Sequence, residues 1–323
     1  MIYPDDFIDQ IICDNNLDVL KTFPSESINC CITSPPYWAL RDYGVEGQLG
    51  LESTFHEYLD RLIAIFDEVK RVLRKDGTCW VVLGDTYSGS GCGTNDYRTE
   101  KSKSIQGKGK NRNLYKTGGI AQKITNVVQA KSLLQIPSRF AILMVDHGWI
   151  LRNEIIWYKP NAMPSSVKDR FTVDFEKVFF FVKNKKYWFE QQFENIDKNS
   201  GWAKQRRKGI DNITPYQTVG CGKWAKPKLQ DNPQGRNKRC VWQIPTKPFK
   251  EAHFAVFPPI LVEPMIQAGC PENGIVLDPF MGSGTVAEVA LKLNRRFVGI
   301  ELNPEYIKIA KKRIREIQPQ LVF

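Results

Sequence analysis

At 323 residues and 37.1 kDa, with 42% hydrophobic residues, the chain carries enough apolar material for one large domain, alone or with a sizeable insertion, which excludes disorder as its dominant state. No run of 18 apolar residues occurs, and the opening MIYPDDFIDQ has acids where a leader has bases, so a cytoplasmic protein is expected rather than a spanning or secreted one. The formal charge of +11 points to an anionic partner, while eight scattered cysteines without a CxxC and three histidines (56, 147, 253) without metal spacing predict no disulfide and no metal.

In chain order, residues 11–14 and 28–32 read as short strands. The second runs into Thr33-Ser34-Pro35-Pro36-Tyr37-Trp38, where a double proline ends the strand and presents the groups beyond it at a strand end. Leu59, Leu62, Phe66, Val69 and Leu73 recur at helical spacing and predict a helix over 56–73 lying on a sheet. Gly77 then precedes an apolar strand, 78–83, that ends in Gly84-Asp85, completing a strand–helix–strand unit. Residues 86–131 lack periodicity and read as a basic loop. A short helix over 138–147, closed by Gly148, and strands near 149–158, 176–182 and 187–189 follow. The pattern is lost again over 190–248. Order returns with a helix from Pro258-Pro259 to about 268, a strand at 275–278, a glycine-rich turn, a helix to about 293, a strand at 296–300 and a helix opened by Pro304. The two units predict an α/β fold: a mostly parallel central sheet with helices on both faces.

The charge is concentrated. Residues 86–131 hold nine bases against two acids and residues 183–250 sixteen against five, so the remainder is net negative, at −7. Both segments also hold aromatics (Tyr97, Tyr115, Trp202, Tyr216, Trp224, Trp242), which favours nucleic acid over a membrane as the polyanion. A pair of solvated lysine-rich loops is the competing reading.

At the end of the strand at 275–278, Asp278 meets a Phe-x-Gly-Ser-Gly turn that lets a ligand approach backbone N–H groups closely. Glu301, 23 residues on at the next strand end, is placed to accept the ribose hydroxyls of an adenosine. GxxxxGK[ST] is absent and the acid disfavours pyrophosphate, so an adenosyl ligand without phosphates is preferred over a dinucleotide or a purely structural turn.

Asp278-Pro279-Phe280-x-Gly282-Ser283-Gly284-Thr285 resembles the cofactor motif of DNA amino-methyltransferases that use S-adenosyl-L-methionine, and Ser34-Pro35-Pro36-Tyr37 resembles their catalytic motif. Their order is similar to that of the circularly permuted beta group, as are Trp157-Tyr158-Lys159-Pro160-Asn161 with Asp169-Arg170, and His253-Phe254-Ala255-x-Phe257-Pro258. The resemblance spans nearly the whole chain outside the interiors of the basic segments. It implies a Rossmann-like methyltransferase fold, with a catalytic half at 1–189, a target-recognition region at 190–248 and a cofactor half at 249–323. It also implies duplex DNA as partner, a functionally paired restriction endonuclease, and a monomer or weak homodimer. Ser34 at the head of its tetrapeptide resembles the enzymes that methylate N4 of cytosine; Asp or Asn there is usual for N6 of adenine, which is the alternative.

An exocyclic amine inside a duplex cannot reach a buried methylsulfonium, so the base is expected to flip into a pocket, with Tyr37, held by Pro35 and Pro36, as its stacking face. Acceptors at the Ser34 hydroxyl and the Pro35 carbonyl would hold the amino hydrogens and turn the lone pair toward the methyl group. Cys30 and Cys31 are expected in the core. Trp38 is expected to line the pocket or support Tyr37 or, equally, to be an ordinary core tryptophan, and Arg41 to order the loop or touch the flipped nucleotide. Asp14 and Asp85 are candidates for the cofactor pocket or, equally, for helix or turn caps. Lys159, Asn161 and Arg170 are candidates for phosphate binding or for ordering the recognition region. Lys204, Arg206, Arg207 and Lys208 suit phosphate neutralisation rather than base readout. The rival readings are methyl transfer to RNA or a protein amide, and a silent DNA-binding module.

Overall fold

The computed structural model describes residues 6–40, 42–88, 128–195, 235–246 and 256–318. Arg41, Lys204, Arg206, Arg207, Lys208, the His253–Ala255 block and most of both basic segments lie outside them. The chain divides into two compact units, Met1–Glu190 with Cys240–Phe323, and Gln191–Arg239.

The larger unit is built on an eight-stranded sheet. In chain order its elements are β1 (Gln10–Ile12), α1 (Asn16–Thr22), β2 (Ile28–Thr33), α2 (Phe55–Val72), β3 (Leu73–Leu83), α3 (Ile136–Asp146), β4 (Ile150–Tyr158) and β5 (Phe175–Val182). In the smaller unit, β6 (Phe193–Glu194) pairs antiparallel with β7 (Arg236–Asn237), and the Glu194 carboxylate is held between Arg236 and Arg239 at 2.7 and 2.6 Å. The larger unit resumes with β8 (Val241–Gln243), α4 (Pro259–Gly269), β9 (Ile275–Asp278), α5 (Thr285–Lys292), β10 (Arg296–Ile300) and α6 (Pro304–Ile317). The sheet order is β1-β10-β9-β2-β3-β5-β4-β8, and β5 alone among these strands runs against its neighbours.

Alternation sorts each strand's side chains between two cores. In β3, Cys79, Val81 and Leu83 join Phe179 and Phe181 of β5 beneath α1, α2 and α3; Trp80 and Val82 face the opposite way with Val178, Phe180 and Val182, beneath α4, α5 and α6. The mostly parallel sheet with helices on both faces matches the sequence reading. α2 starts where Thr54 accepts a bond from the Glu57 backbone N–H at 3.1 Å, and its 3.6-residue stripe is wholly buried. Three details differ. β3 starts at Leu73, directly from the end of α2, with a register shift against β2 between Ile28 and Cys30. A short helix, α1, follows Asn15, whose side chain accepts the Leu17 and Asp18 backbone N–H groups. Residues 187–189 are not a strand: Tyr187 and Phe189 turn back on Phe180, with ring centroids 5.9 and 5.7 Å away. Aromatic content there signals packing as well as it signals a strand.

Strand order decides where a site forms. β9 leads through α5 to β10 on one side, whereas β2 leads through α2 to β3 on the other. The carboxyl ends of β9 and β2 therefore flank the point where the sheet's winding reverses, the crevice where open α/β sheets bind ligands.

Candidate active site

β2 and β9 are parallel neighbours, with Cys31 opposite Leu277, so Ser34–Tyr37 and Asp278–Thr285 emerge side by side although 245 residues separate Thr33 from Asp278. A buried hydrogen bond joins the two segments: the Thr33 hydroxyl donates to Asp278 Oδ1 at 2.6 Å. The Phe280 backbone N–H donates to the same oxygen at 3.0 Å. Burial, with help from the nearby charge of Glu301, pushes the Asp278 carboxyl up to about 7.

Glu301 is held as firmly. Its Oε2 accepts the Gly282 N–H at 2.7 Å and its Oε1 the Asn303 N–H at 2.8 Å, while burial raises its carboxyl above the ordinary value against those bonds. Each oxygen retains a lone pair for a ribose hydroxyl. Gly282 has φ +51° and no atom closer than 3.9 Å to where a Cβ would stand, so the turn leaves open space there. Gly284, at φ +82°, is crowded instead: a Cβ would meet the Ala310 Cβ at 2.8 Å, which brings α6 against the turn. From α6, Arg313 donates to the Ser283 carbonyl at 2.8 Å, to its hydroxyl at 2.9 Å and to the Thr285 hydroxyl at 3.2 Å, and pairs with Glu288. Ser283 and Thr285 thus brace the turn. Asn16 of α1 ties down the other side, donating to the Pro279 carbonyl at 3.1 Å.

At the catalytic motif, the Tyr58 hydroxyl of α2 donates to the Pro36 carbonyl at 2.9 Å, fixing the proline pair. Tyr37 is partly exposed, and its ring lies against Gly84 after β3, where a Cβ would come within 2.4 Å of it. Its hydroxyl donates to Glu176 Oε2 at 2.8 Å, and Lys159 Nζ holds Glu176 Oε1 at 2.5 Å while lying 4.3 Å over the Trp157 ring. Burial and then the Glu176 charge raise the Tyr37 phenol well above its usual range, so it stays neutral. The result is a fixed series, Tyr37–Glu176–Lys159.

Other expected residues take different places. Trp38 is core: 3% exposed, it donates to the Glu52 carbonyl at 3.1 Å and packs edge-on against Phe55. Asp14 is exposed and accepts the Asn15 N–H at 2.7 Å, next to the α1 cap. Asp85 Oδ1 accepts the N–H groups of Thr86 and Ile136 at 2.9 and 3.1 Å, capping α3 from outside its own segment, and burial raises its carboxyl. Asn161 clasps Thr246, donating to its carbonyl and accepting its N–H, both at 2.8 Å. The Arg170 guanidinium lies 3.6 Å over the Tyr87 ring. Cys30 and Cys31 are fully buried, and burial pushes both thiols well up, which suits core packing and not nucleophilic attack. Among the described residues no group of three or more His, Cys, Asp or Glu is placed to hold a metal ion, and no helix is long and apolar enough to cross a membrane.

Thr33, Glu176, Tyr58, Asn16 and Arg313 escape sequence reasoning. Only Glu176 leaves a signal, as an acid at the start of the apolar run FEKVFFFV.

The DNA methylase family model N6_N4_Mtase matches residues 28–312, from the start of β2 into α6. The chain belongs to this DNA methylase family. The resemblance drawn from Ser34–Tyr37 and Asp278–Thr285 therefore holds. The methylase is 40% identical over 299 residues to the type II methyltransferase M.Cfr9I of Citrobacter freundii, covering 93% of this chain and 85% of that one. It is 42% identical to M.XycI of Xanthomonas campestris pv. cyanopsidis, with the same coverage. Among solved structures, the fold is that of the PvuII DNA methyltransferase (cytosine-N4-specific), at TM-score 0.60 and 21% identity over 97% of this chain and 88% of that one. It is also that of a DNA modification methylase of Thermus thermophilus in complex with S-adenosyl-L-methionine, at TM-score 0.55 and 21% identity over 96% of both chains.

Proposed function

We propose that this DNA methylase transfers the methyl group of S-adenosyl-L-methionine to N4 of a cytosine flipped out of duplex DNA. The observation that carries the reading is the pairing of Ser34-Pro35-Pro36-Tyr37 with Asp278–Thr285 on adjacent strand ends, joined by the Thr33–Asp278 bond. Ser34 at the head of the tetrapeptide supports cytosine, as does the likeness to the cytosine-N4-specific PvuII methyltransferase.

The donor set fits this cofactor. The Asp278 carboxylate offers a negative group to a cationic one, the open side of Gly282 leaves room for close approach, and Glu301 offers lone pairs to a ribose. Bound there, S-adenosyl-L-methionine supplies a methyl group on a sulfonium that is a good electrophile. The protein's residues do the rest. Ser34 presents oxygen lone pairs to one amino hydrogen of the base, and the Pro35 carbonyl takes the other. The nitrogen lone pair is thereby turned out of conjugation and into line for displacement. Tyr37 gives the base a stacking face, and no covalent intermediate on the protein is required. The segment 190–248 acts as target-recognition region, with Lys204, Arg206 and Arg207 on phosphates, and Lys159 acts first on Glu176. The type II relatives support a cytoplasmic setting in a bacterium, archaeon or phage-infected host, beside a restriction endonuclease.

The test is incubation with unmethylated duplex DNA and methyl-labelled cofactor, then nucleoside mass analysis. Labelled 4-methylcytosine is the expected product. 6-Methyladenine would keep the reaction and overturn the base, and absence of label from every duplex despite cofactor binding would overturn the reading.

A further inference from the structure

Between β4 and β5, residues 159–174 form a loop whose neck is pinned by the Lys159 N–H donating to the Asp174 carbonyl at 2.7 Å and by the Lys159–Glu176 pair. β4 runs parallel to β3 and β2, so this neck lies at the sheet edge from which Ser34 and Tyr37 emerge, and Glu176 connects it directly to Tyr37. The loop is tethered again farther out. Arg170 stacks on Tyr87, just beyond Gly84 and Asp85, and Asp169 pairs with Lys131 at 2.7 Å.

This anchored loop turns apolar side chains outward. Phe171 is 97% exposed and Met163 87%, with Val167 and Val173 also exposed. A large aromatic fixed in water at the catalytic rim gains nothing for the fold. Lys168 and Arg170 precede it in sequence, and the acid between them, Asp169, pairs with Lys131. An apolar wedge framed by cations matches one surface: a stack of bases lined by phosphates.

Resting on the base-flipping reading above, we propose that Phe171, seconded by Met163, enters the duplex stack and fills the space the flipped nucleotide leaves. Extrusion sacrifices stacking and pairing, and an aromatic inserted in the gap restores part of the stacking and blocks return. Phe171 makes no contact with the reacting atoms in this scheme; it raises the population of the extruded base.

The experiment uses full-length protein and a duplex carrying the methylated site, located by sequencing modified DNA. Phe171→Ala is expected to lower kcat/KM about tenfold on the paired duplex, and to return to near wild type when the base opposite the target is removed, because extrusion then costs less. Phe171→Trp retains activity. A 2-aminopurine at the target position brightens on binding wild type and less with Phe171→Ala, a readout independent of turnover, while cofactor affinity and melting temperature stay unchanged. Equal loss on both duplexes, or no loss on either, overturns the proposal. Wild type that labels no duplex overturns the methyl-transfer reading instead, so the two failures are distinct.

Discussion

Gly84→Ala isolates the placement of Tyr37. A Cβ at this position would stand 2.4 Å from Tyr37 Cε2, 3.0 Å from Cδ2 and 3.2 Å from Cζ. Ordinary contact begins near 3.4 Å, so the ring must retreat by about 1 Å, since Gly84 does not have the positive φ that disfavours alanine. The ring is otherwise fixed by the 2.8 Å bond to Glu176 and by the Pro36 carbonyl held to Tyr58. Retreat therefore stretches the Glu176 bond and displaces the face proposed to stack on the base. Overpacking of this kind costs about 1–3 kcal/mol of stability, which leaves the protein folded. A misplacement of about 1 Å at a reacting centre costs about 100-fold in rate, so activity falls far more than stability. Single-turnover methyl transfer to duplex DNA, beside cofactor titration and thermal melting, gives the three numbers. In a Tyr37→Ala background the same substitution is expected to add no further loss, because the atoms it displaces are gone. Wild-type turnover by Gly84→Ala, or full additivity with Tyr37→Ala, would refute the reasoning.

Glu176→Ala leaves both the Tyr37 hydroxyl and Lys159 without their partner; it is expected to lower kcat about tenfold or more with little change in cofactor affinity, whereas Glu176→Gln, whose amide oxygen still accepts from Tyr37, recovers much of the loss. Equal losses in the two variants would remove Glu176 as a positioning residue for Tyr37. Asp278 predicts a pH dependence whose sign follows from its raised value. Between the ordinary carboxylate value near 3.8 and about 7, the folded protein keeps a proton that the unfolded chain has released, so stability without cofactor falls as pH rises through that window and levels off above it. Asp278→Asn, which can still accept from Thr33 and Phe280, removes this contribution; urea midpoints whose difference from wild type does not change between about pH 4 and 8 would refute the assignment. Binding of a cationic cofactor to the ionised carboxylate tightens about tenfold from about pH 6 to 8, read by titration calorimetry with proton release.

The sequence carried the local half of this architecture. Strand–helix–strand units, the helix at 56–73 and the turn at 279–285 are written in residues close together, where apolar spacing and glycine chemistry act directly. Arrangements between distant segments were not legible. Nothing local in Thr33 marks it as the partner of an aspartate 245 positions away, and nothing in Asp85 says that it caps a helix beginning at residue 136. Trp38 shows the same limit from the other side, because beside this tetrapeptide a tryptophan suits a pocket wall and a core position equally until burial against Phe55 places it in the core. Ser283 and Thr285 belong to a motif that resembles a cofactor loop, yet their hydroxyls are committed to Arg313.

These long-range bonds also explain how the two motifs make a site in either chain order. A crevice at the winding reversal depends on which strands are neighbours, and β2 and β9 remain neighbours wherever the chain is opened. What must be preserved is the registration of the two strand ends. Thr33–Asp278 supplies it at the buried centre, Asn16–Pro279 on the side of α1, and Glu301–Gly282 on the side of β10. Each bond joins a residue of the scaffold to the turn that meets the ligand, so the turn's geometry is set before any ligand arrives. That preorganisation is where a transferase needs its rigidity, because an in-line displacement tolerates little error in the angle between amine and methyl group. The exposed loop between β4 and β5 is tethered on the Tyr37 side instead, through Glu176 and Tyr87. The division is consistent with the proposed use, in which the buried bonds align the reacting groups and the outward loop meets a duplex that must be deformed before those groups have anything to align.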